Sequence, residues 1–324
     1  MGRPPRVVPT LTAMRVPRVT PGFLRRLTTL NVVLLLAVVV SGAVVRLSNS
    51  GLGCADWPNC SSTHFVSVAT HHAAIEQVNR LFSGLIGIPL ALTVYAVYRI
   101  RPRRRDWVRL AWILFVLFLC EAVLGGISVT LKLAWFSVMS HFLLALGLVS
   151  VALQLRQRVR EPAGKRVPIV TRAAVRLVRV VYLWTIGVVI LGTLVTAAGP
   201  HGGDRDAKRI TIPITDLARL HAVAVDTLVV LTLVTVIVLV RTRAPRPVLT
   251  TASFAIGAMV AQGVLGYVQY AEAVPAVLVG FHVFGAVLVF GAVQQLELST
   301  RAPLEHSAEA VAVRRPGVTV PVGR

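Results

Sequence analysis

Eight long apolar segments dominate the sequence, and each is long enough to cross a lipid bilayer as a helix, which takes about 20 mainly apolar residues. Hydrophobic residues make up 55% of the chain and charged residues 15%. This composition excludes a disordered chain, a small disulfide-stapled protein and an ordinary water-soluble enzyme. We predict an all-α membrane protein with eight transmembrane helices at residues 27–46, 77–99, 107–128, 137–156, 180–198, 217–240, 248–270 and 276–296.

The basic residues are divided unevenly between the two ends of these helices. If the helices alternate in direction, 27 of the 34 Lys and Arg residues fall at the termini and in the connections on the same side. Cytoplasmic segments carry such an excess, so we expect a plasma-membrane protein with both termini cytoplasmic. The opposite, extracytoplasmic side holds Arg46, Arg80, Lys132, Arg205, Lys208, Arg209 and Arg219.

The first apolar run and the charge distribution argue against a cleaved signal peptide and against a nucleic-acid partner. The first apolar run has no small-residue cleavage motif after it, so we expect a membrane span and not a cleaved signal peptide. The net charge of +21 does not indicate a nucleic-acid partner, because no basic surface alternates with aromatic residues.

A weak internal repeat divides the chain into two copies of a four-helix unit. The repeat predicts two pseudo-symmetric four-helix bundles. The predicted organisation is a basic N-terminal segment (1–26), an N-terminal bundle (27–156), a basic linker (157–179), a C-terminal bundle (180–297) and a polar tail without regular structure (298–324). The segments that match are CEAVLGG (120–126) with AQGVLGY (261–267) and VVVSG (38–42) with VVILG (188–192), which also bring His141 onto His282 and Asn79 onto His221.

Three histidines begin the predicted spans 4, 6 and 8 at similar depth, near the extracytoplasmic face. A buried imidazole in a membrane is costly unless it faces the interior of the bundle, and facing helices are where bundles place cofactor ligands. Histidine is a common axial ligand of haem iron. His221 and His282 lie in the same repeat and are candidates for the two ligands of one haem, while His141 is the candidate in the other repeat. An interhelical hydrogen bond is the simpler alternative for each.

The N-terminal repeat has an incomplete ligand pair, because Asn79 stands at the position equivalent to His221. Asparagine is a poor iron ligand, so this site is expected to be open, unless the first copy has lost its site. Glu76 is three residues earlier on the same helix face and Arg80 is four residues beyond it. Glu76 is a candidate proton relay or general base and Arg80 a candidate partner of a haem propionate; a helix-end ion pair is the alternative.

Cys54 and Cys60 lie in the first extracytoplasmic loop, SNSGLGCADWPNC. The compartment is oxidising, so a disulfide is expected, either as a structural staple or as a redox-active pair. A zinc site with His64, His71 or His72 is a weaker alternative, because the spacing matches no standard zinc pattern.

Three further residues lie within the spans. Intramembrane acids are functional candidates, and Glu121 and Asp226 belong to this class, although interhelical hydrogen bonds explain them equally well. Cys120 lies inside span 3 and is expected to pack as a small hydrophobic residue.

Taken together, these motifs resemble the haem A synthase family over about residues 25–298. The resemblance is carried by the SGLGCADWPNC loop, by IEQVNR at the start of span 2, and by the single histidines that begin spans 4, 6 and 8. One position departs from the family pattern, because Asn79 replaces a histidine. The substrate iron is then bound by His141 alone, or a loop histidine such as His71 or His72 supplies the other ligand.

The resemblance implies an oxidoreductase that converts the C8 methyl group of haem O to a formyl group by successive hydroxylations. It implies two similar four-helix bundles, with haem b in the C-terminal half and the substrate haem in the N-terminal half. The implied roles are haem b ligation by His221 and His282, substrate haem binding by His141, Asn79 and Arg80, catalysis by Glu76, and an outer-loop pair of Cys54 and Cys60.

Two other functions are compatible with these residues. One is a b-type cytochrome that passes electrons between a quinone and the Cys pair, and the other is a haem carrier without turnover. The partners expected for the synthase are haem O, the haem O synthase that supplies it, membrane lipid, an electron donor or acceptor, and a second copy of the chain.

Overall fold

The computed structural model describes residues 19–304, and this part of the chain contains eight α-helices. Each helix is long and apolar enough to cross a membrane, which confirms the predicted multi-pass, all-α class. The helices are α1 (Pro21–Leu47), α2 (His71–Arg99), α3 (Arg105–Thr130), α4 (Trp135–Arg160), α5 (Arg172–Ala198), α6 (Ile214–Arg241), α7 (Arg246–Ala271) and α8 (Ala276–Ser299).

Helix α2 begins earlier than the apolar pattern predicts, because a side chain caps it. The hydroxyl of Thr70 accepts a hydrogen bond from the N–H of Ala73, which satisfies one of the free donors of the first turn. The helix therefore starts at His71 instead of residue 77. His71 and His72 belong to this first turn, so the expectation that they are loop histidines is wrong.

The helices pack as two closed rings of four. In the first ring α1 contacts α2 and α4, and α3 contacts α2 and α4; in the second, α5 contacts α6 and α8, and α7 contacts α6 and α8. The rings meet where α8 lies against α1 and α4, and where α4 lies against α5. A buried amide fixes this seam, since the side chain of Gln294 donates to the carbonyl of Ser150 at 2.8 Å. The pseudo-symmetry of the two halves stays a prediction.

A two-stranded antiparallel ribbon joins the connection between the rings to the end of α8. Strand β1 (Arg166–Pro168) pairs with strand β2 (Arg301–Pro303). The guanidinium of Arg166 donates to the carbonyls of Leu298 and Arg301 at 2.7 and 2.6 Å, which ties the strands to the helix end. The prediction that the segment after residue 298 lacks regular structure is wrong for its first residues. These residues form strand β2, because the linker supplies strand β1 as a pairing partner.

The observed helix ends differ from several of the predicted domain boundaries. Helices α4 and α5 extend into the predicted linker 157–179, and α1 begins within the predicted N-terminal segment 1–26. The basic residues expected before residue 19 and after residue 304 lie outside the described residues, as does most of the polar tail.

Candidate haem-binding site

A cavity of about 1270 Å³ lies between the helices, and residues from all eight of them line it. This volume exceeds the roughly 300–1,000 Å³ of a typical small-molecule pocket, so there is room for more than one large ligand. The structure brings most of the candidate residues named from the sequence to this one space. They are Glu76, Asn79, Arg80, Glu121, His141, His221 and His282.

His221 and His282 face each other across the second ring. Their ring centres are 6.5 Å apart and the ring planes are inclined at 72°. Imidazole nitrogens bind metals at about 2.0–2.1 Å, so two rings on opposite sides of one metal have centres about 6.3 Å apart. The observed separation fits one metal ion held between the two rings.

Each cavity histidine packs against a glycine of the preceding helix. A β-carbon added at Gly125, Gly192 or Gly266 would lie 3.0–3.1 Å from the Cε1 atom of the histidine on the next helix, closer than ordinary van der Waals contact. Only glycine leaves the room that each ring occupies. The shared VLG of the sequence repeat ends in two of these glycines, but their contact with the histidines was not predicted from the sequence. The pairs are Gly125 with His141, Gly192 with His221 and Gly266 with His282.

Gly42 and Asn79 occupy the fourth equivalent position, which has no histidine ring. A β-carbon added at Gly42 would meet nothing within 4 Å. The shorter side chain of Asn79 is turned instead toward α1, where its Oδ1 atom accepts a hydrogen bond from the hydroxyl of Ser41 at 2.7 Å. The amide oxygen is therefore already engaged with the protein.

A carboxylate lies beside the remaining cavity histidine. The Nδ1 atom of His141 is 3.2 Å from the Oε1 atom of Glu121, although the angle falls short of a hydrogen bond. A carboxylate behind a histidine fixes the ring orientation and raises its basicity toward a metal. Sequence reasoning assigned Glu121 no specific role, and it missed this pairing.

The other two histidines have different neighbours. The carbonyl of Val188 lies beside the His221 ring, short of full hydrogen-bond geometry. Gln262, the repeat equivalent of Glu121, donates to the backbone carbonyl of His282 at 2.7 Å and not to its ring. The Nδ1 atoms of both rings are buried without a hydrogen-bond partner.

Glu76 and Arg80 form a buried ion pair at the wall of the cavity. Glu76 is 4% exposed, and its Oε1 atom accepts from the Nε and Nη2 atoms of Arg80 at 3.0 and 2.6 Å. Its Oε2 atom accepts from the N–H of Cys54 at 2.8 Å. Arg80 also donates to the carbonyls of Asp56 and Asn59, so four of its five donors are engaged, two with Glu76 and two with the loop. The pair anchors this loop on α2.

The predicted disulfide between Cys54 and Cys60 is present. The loop that it closes lies over the first ring, because Trp57 packs on Gly126 of α3, where any β-carbon would overlap the indole. Trp57 and Pro58 line the cavity. The loop therefore covers the N-terminal part of the site.

His71 and His72 are not part of this site. Neither lines the cavity, and the Nδ1 atom of His72 is 2.9 Å from the hydroxyl of Ser50. The alternative that one of them replaces the missing ligand is therefore wrong. The zinc alternative also fails, because both cysteines are oxidised, and residues 19–304 contain no cluster of three or more His, Cys, Asp or Glu side chains able to hold a metal ion.

Two embedded residues lie away from the cavity. Cys120 lies within α3, as expected, but its side chain is exposed and does not pack against the other helices. Asp226 is exposed on α6, and the hydroxyl of Tyr267 lies 3.4 Å from both of its carboxylate oxygens.

Comparison with known proteins identifies relatives of this chain. The cytochrome oxidase assembly protein family matches residues 25–200. A Shewanella oneidensis protein named Heme A synthase is 32% identical over 148 residues, which cover 40% of this chain and 44% of the relative. A Geobacillus thermodenitrificans protein of the same name is 30% identical over 121 residues, covering 37% and 38%. These matches span less than half the length of each relative.

Proposed function

This chain belongs to the cytochrome oxidase assembly protein family, in which its relatives are haem A synthases, and on that premise we propose that it oxidises the C8 methyl group of haem O to a formyl group, giving haem A. The observation that carries the proposal is the asymmetric cavity. One ring presents two facing histidines and the other presents a single histidine beside a carboxylate.

The second ring is proposed to hold a haem b between His221 and His282. The 6.5 Å separation of the two ring centres supports this assignment. A haem with two histidine ligands has no open coordination position, so the chemistry that it supplies is electron transfer. Gly192 and Gly266 leave the space that the two imidazole rings occupy.

The first ring is proposed to bind the substrate haem O through His141. Asn79 is engaged with Ser41, so one face of the substrate is left without a strong protein ligand. Glu121 orients the His141 ring from behind. The disulfide loop covers this half through Trp57, which restricts the access of bulk water to the reacting edge.

Glu76 is proposed to serve this half as a proton-holding group. It is the cavity carboxylate nearest in sequence to Asn79, and it is buried beside the loop. Its hydrogen bonds to Cys54 and Arg80 link it to the same loop that covers the substrate. Protonation of Glu76 would weaken its ion pair with Arg80 and the hydrogen bond that it accepts from Cys54, so the anchoring role and the proton-transfer role of this carboxylate are coupled.

The proposed orientation places the disulfide loop outside the cytoplasm, with both termini inside a plasma membrane. The excess of basic residues at the opposite helix ends and the oxidised Cys pair support it. Haem O is an apolar substrate, so delivery by a haem O synthase within the membrane is the proposed source. Self-association is a further proposal.

A b-type cytochrome is the second candidate, because the disulfide lies next to Glu76 at the cavity wall. It differs from the synthase in making no new haem. A haem carrier would bind haem and show neither activity.

The test is complementation of a bacterium that makes haem O but lacks its own haem A synthase. The parent chain and a His64→Ala control, altered in an exposed loop residue, are expected to restore haem A in membranes. His141→Ala is expected to lose it, because the substrate loses its ligand. Failure of the well-expressed parent chain, or full activity of His141→Ala, would contradict the proposal.

A further inference from the structure

We propose that Arg46, an arginine of the first ring, binds a carboxylate of the haem held by the second ring. The assignment deepens the proposed function and rests on it for the identity of the ligand. It concerns the propionate end of the haem, not its iron. Arg46 is in the last turn of α1 and lines the cavity.

Arg46 reaches across the seam between the two rings. Its Nη2 atom donates to the carbonyl of Thr196 on α5 at 3.1 Å. Thr196 lies one turn, or about 6 Å, beyond Gly192, against which His221 packs. The next residue, Leu47, contacts α8 at Gly280, two residues before His282. The guanidinium group therefore contacts α5 one helical turn from the glycine against which His221 packs.

Among residues 19–304, no carboxylate pairs with the charge of Arg46. The ion pairs found between residues 19 and 304 do not include it, and its Nε atom is buried without a hydrogen-bond partner. Its charged neighbour is Arg209, which is close enough to repel it. A buried charge that lacks a partner is strongly unfavourable, so an anion is expected to complete this site.

The carboxylates of the cavity wall are not available for this role. Glu76 is paired with Arg80, and Glu121 lies beside His141. Arg209 also lines the cavity, and its guanidinium donates to the backbone carbonyls of Gly199 and Pro200, which hold it in place. Two guanidinium groups that form no ion pair within the described part of the chain thus line the same apolar cavity.

The ligand chemistry that fits is a carboxylate on a large apolar body. Guanidinium groups bind carboxylates through two parallel hydrogen bonds, and Arg46 has its Nε donor free for such a pair. Haem carries two propionates at one edge of an apolar ring. Arg80, which the sequence suggested for this contact, has four of its donors committed to Glu76 and the loop.

The test compares haem b with its dimethyl ester, in which both propionates are neutral. Haem-free protein is titrated with each compound in a His141→Ala background, so that the low-spin absorption band reports on the second ring. In Arg46→Gln the affinity for haem b is expected to fall about tenfold or more, with little change for the ester. Arg205→Gln is the matched control, because Arg205 is exposed on the connection between α5 and α6 and does not line the cavity.

Three outcomes separate the inference from the proposed function. Equal affinity of Arg46→Gln and the parent for haem b would overturn the carboxylate assignment alone. Equal losses for haem b and the ester would show a purely structural role and also overturn it. No low-spin haem in the His141→Ala parent would refute the second-ring haem, and the assignment with it. Arg46→Lys keeps the positive charge but cannot form two parallel hydrogen bonds with one carboxylate. An intermediate loss of affinity for haem b is therefore expected in this variant, which provides a test even if the glutamine variant is unstable.

Discussion

The glycines that back the histidines allow a direct test of the ligand geometry. In Gly192→Ala the new β-carbon would lie 3.1 Å from Cε1 of His221, and in Gly266→Ala it would lie 3.0 Å from Cε1 of His282. Favourable carbon contacts begin at about 3.5 Å, so each ring must move by roughly 0.4 Å or more. Functional constellations tolerate displacements of about 0.5 Å, which puts either variant at the limit.

The cost to the haem-free protein is expected to be small. Overpacking a helix contact costs about 1–3 kcal/mol, while alanine gains about 0.8–1 kcal/mol over glycine within a helix. The net destabilisation is about 0–2 kcal/mol, which leaves the fold intact. With iron bound, the ring has no freedom to move aside, so the strain appears as weakened ligation.

The assay is the visible absorption spectrum of the haem-loaded protein, with haem content per chain. Gly192→Ala and Gly266→Ala are expected to lose part of the low-spin signal. Gly42→Ala is the matched control, because its β-carbon would meet nothing within 4 Å, and it should keep the parent spectrum. Parent-like spectra in both ring-facing variants would refute the claim that these histidines are the ligands.

Three further predictions concern the first ring. Glu121→Gln removes the negative charge beside His141, so product formation is expected to fall about 10–100-fold. The reduction potential of the haem bound to His141 is expected to rise, while the low-spin band of the second ring stays unchanged. An unaltered potential would argue against the pairing of Glu121 with His141. Asn79→His is expected to make the substrate-haem spectrum six-coordinate, and an unchanged spectrum would mean that this position does not face the iron. Replacing both Cys54 and Cys60 by serine should make the loop sensitive to protease while the low-spin band is retained; loss of turnover without any loosening of the loop would instead indicate redox chemistry.

The sequence predicted the features that depend on composition and position along the chain. Eight apolar runs define eight helices, and histidines at the same depth in three of them converge on one cavity. The disulfide was expected because the charge distribution predicts an extracytoplasmic position for the loop that carries both cysteines. The apolar pattern missed the start of α2, but this start also has a local cause, because Thr70 caps the helix.

The features that depend on helix rotation were not predictable. These helices are apolar on all sides, so periodicity does not distinguish a lipid-facing side from a buried one. Cys120 and Glu121 are neighbours in sequence, yet one faces outward and the other lies beside His141. The approach of Arg46 to Thr196 likewise requires two helix ends from different rings to meet, which no local pattern encodes.

Formation of haem A by this chain can be measured by haem extraction and chromatography of the protein purified from cells that also make haem O. We expect haem B together with haem A or a hydroxylated haem O intermediate. Haem B alone, with ample haem O in the same membranes, would refute the proposed synthase activity.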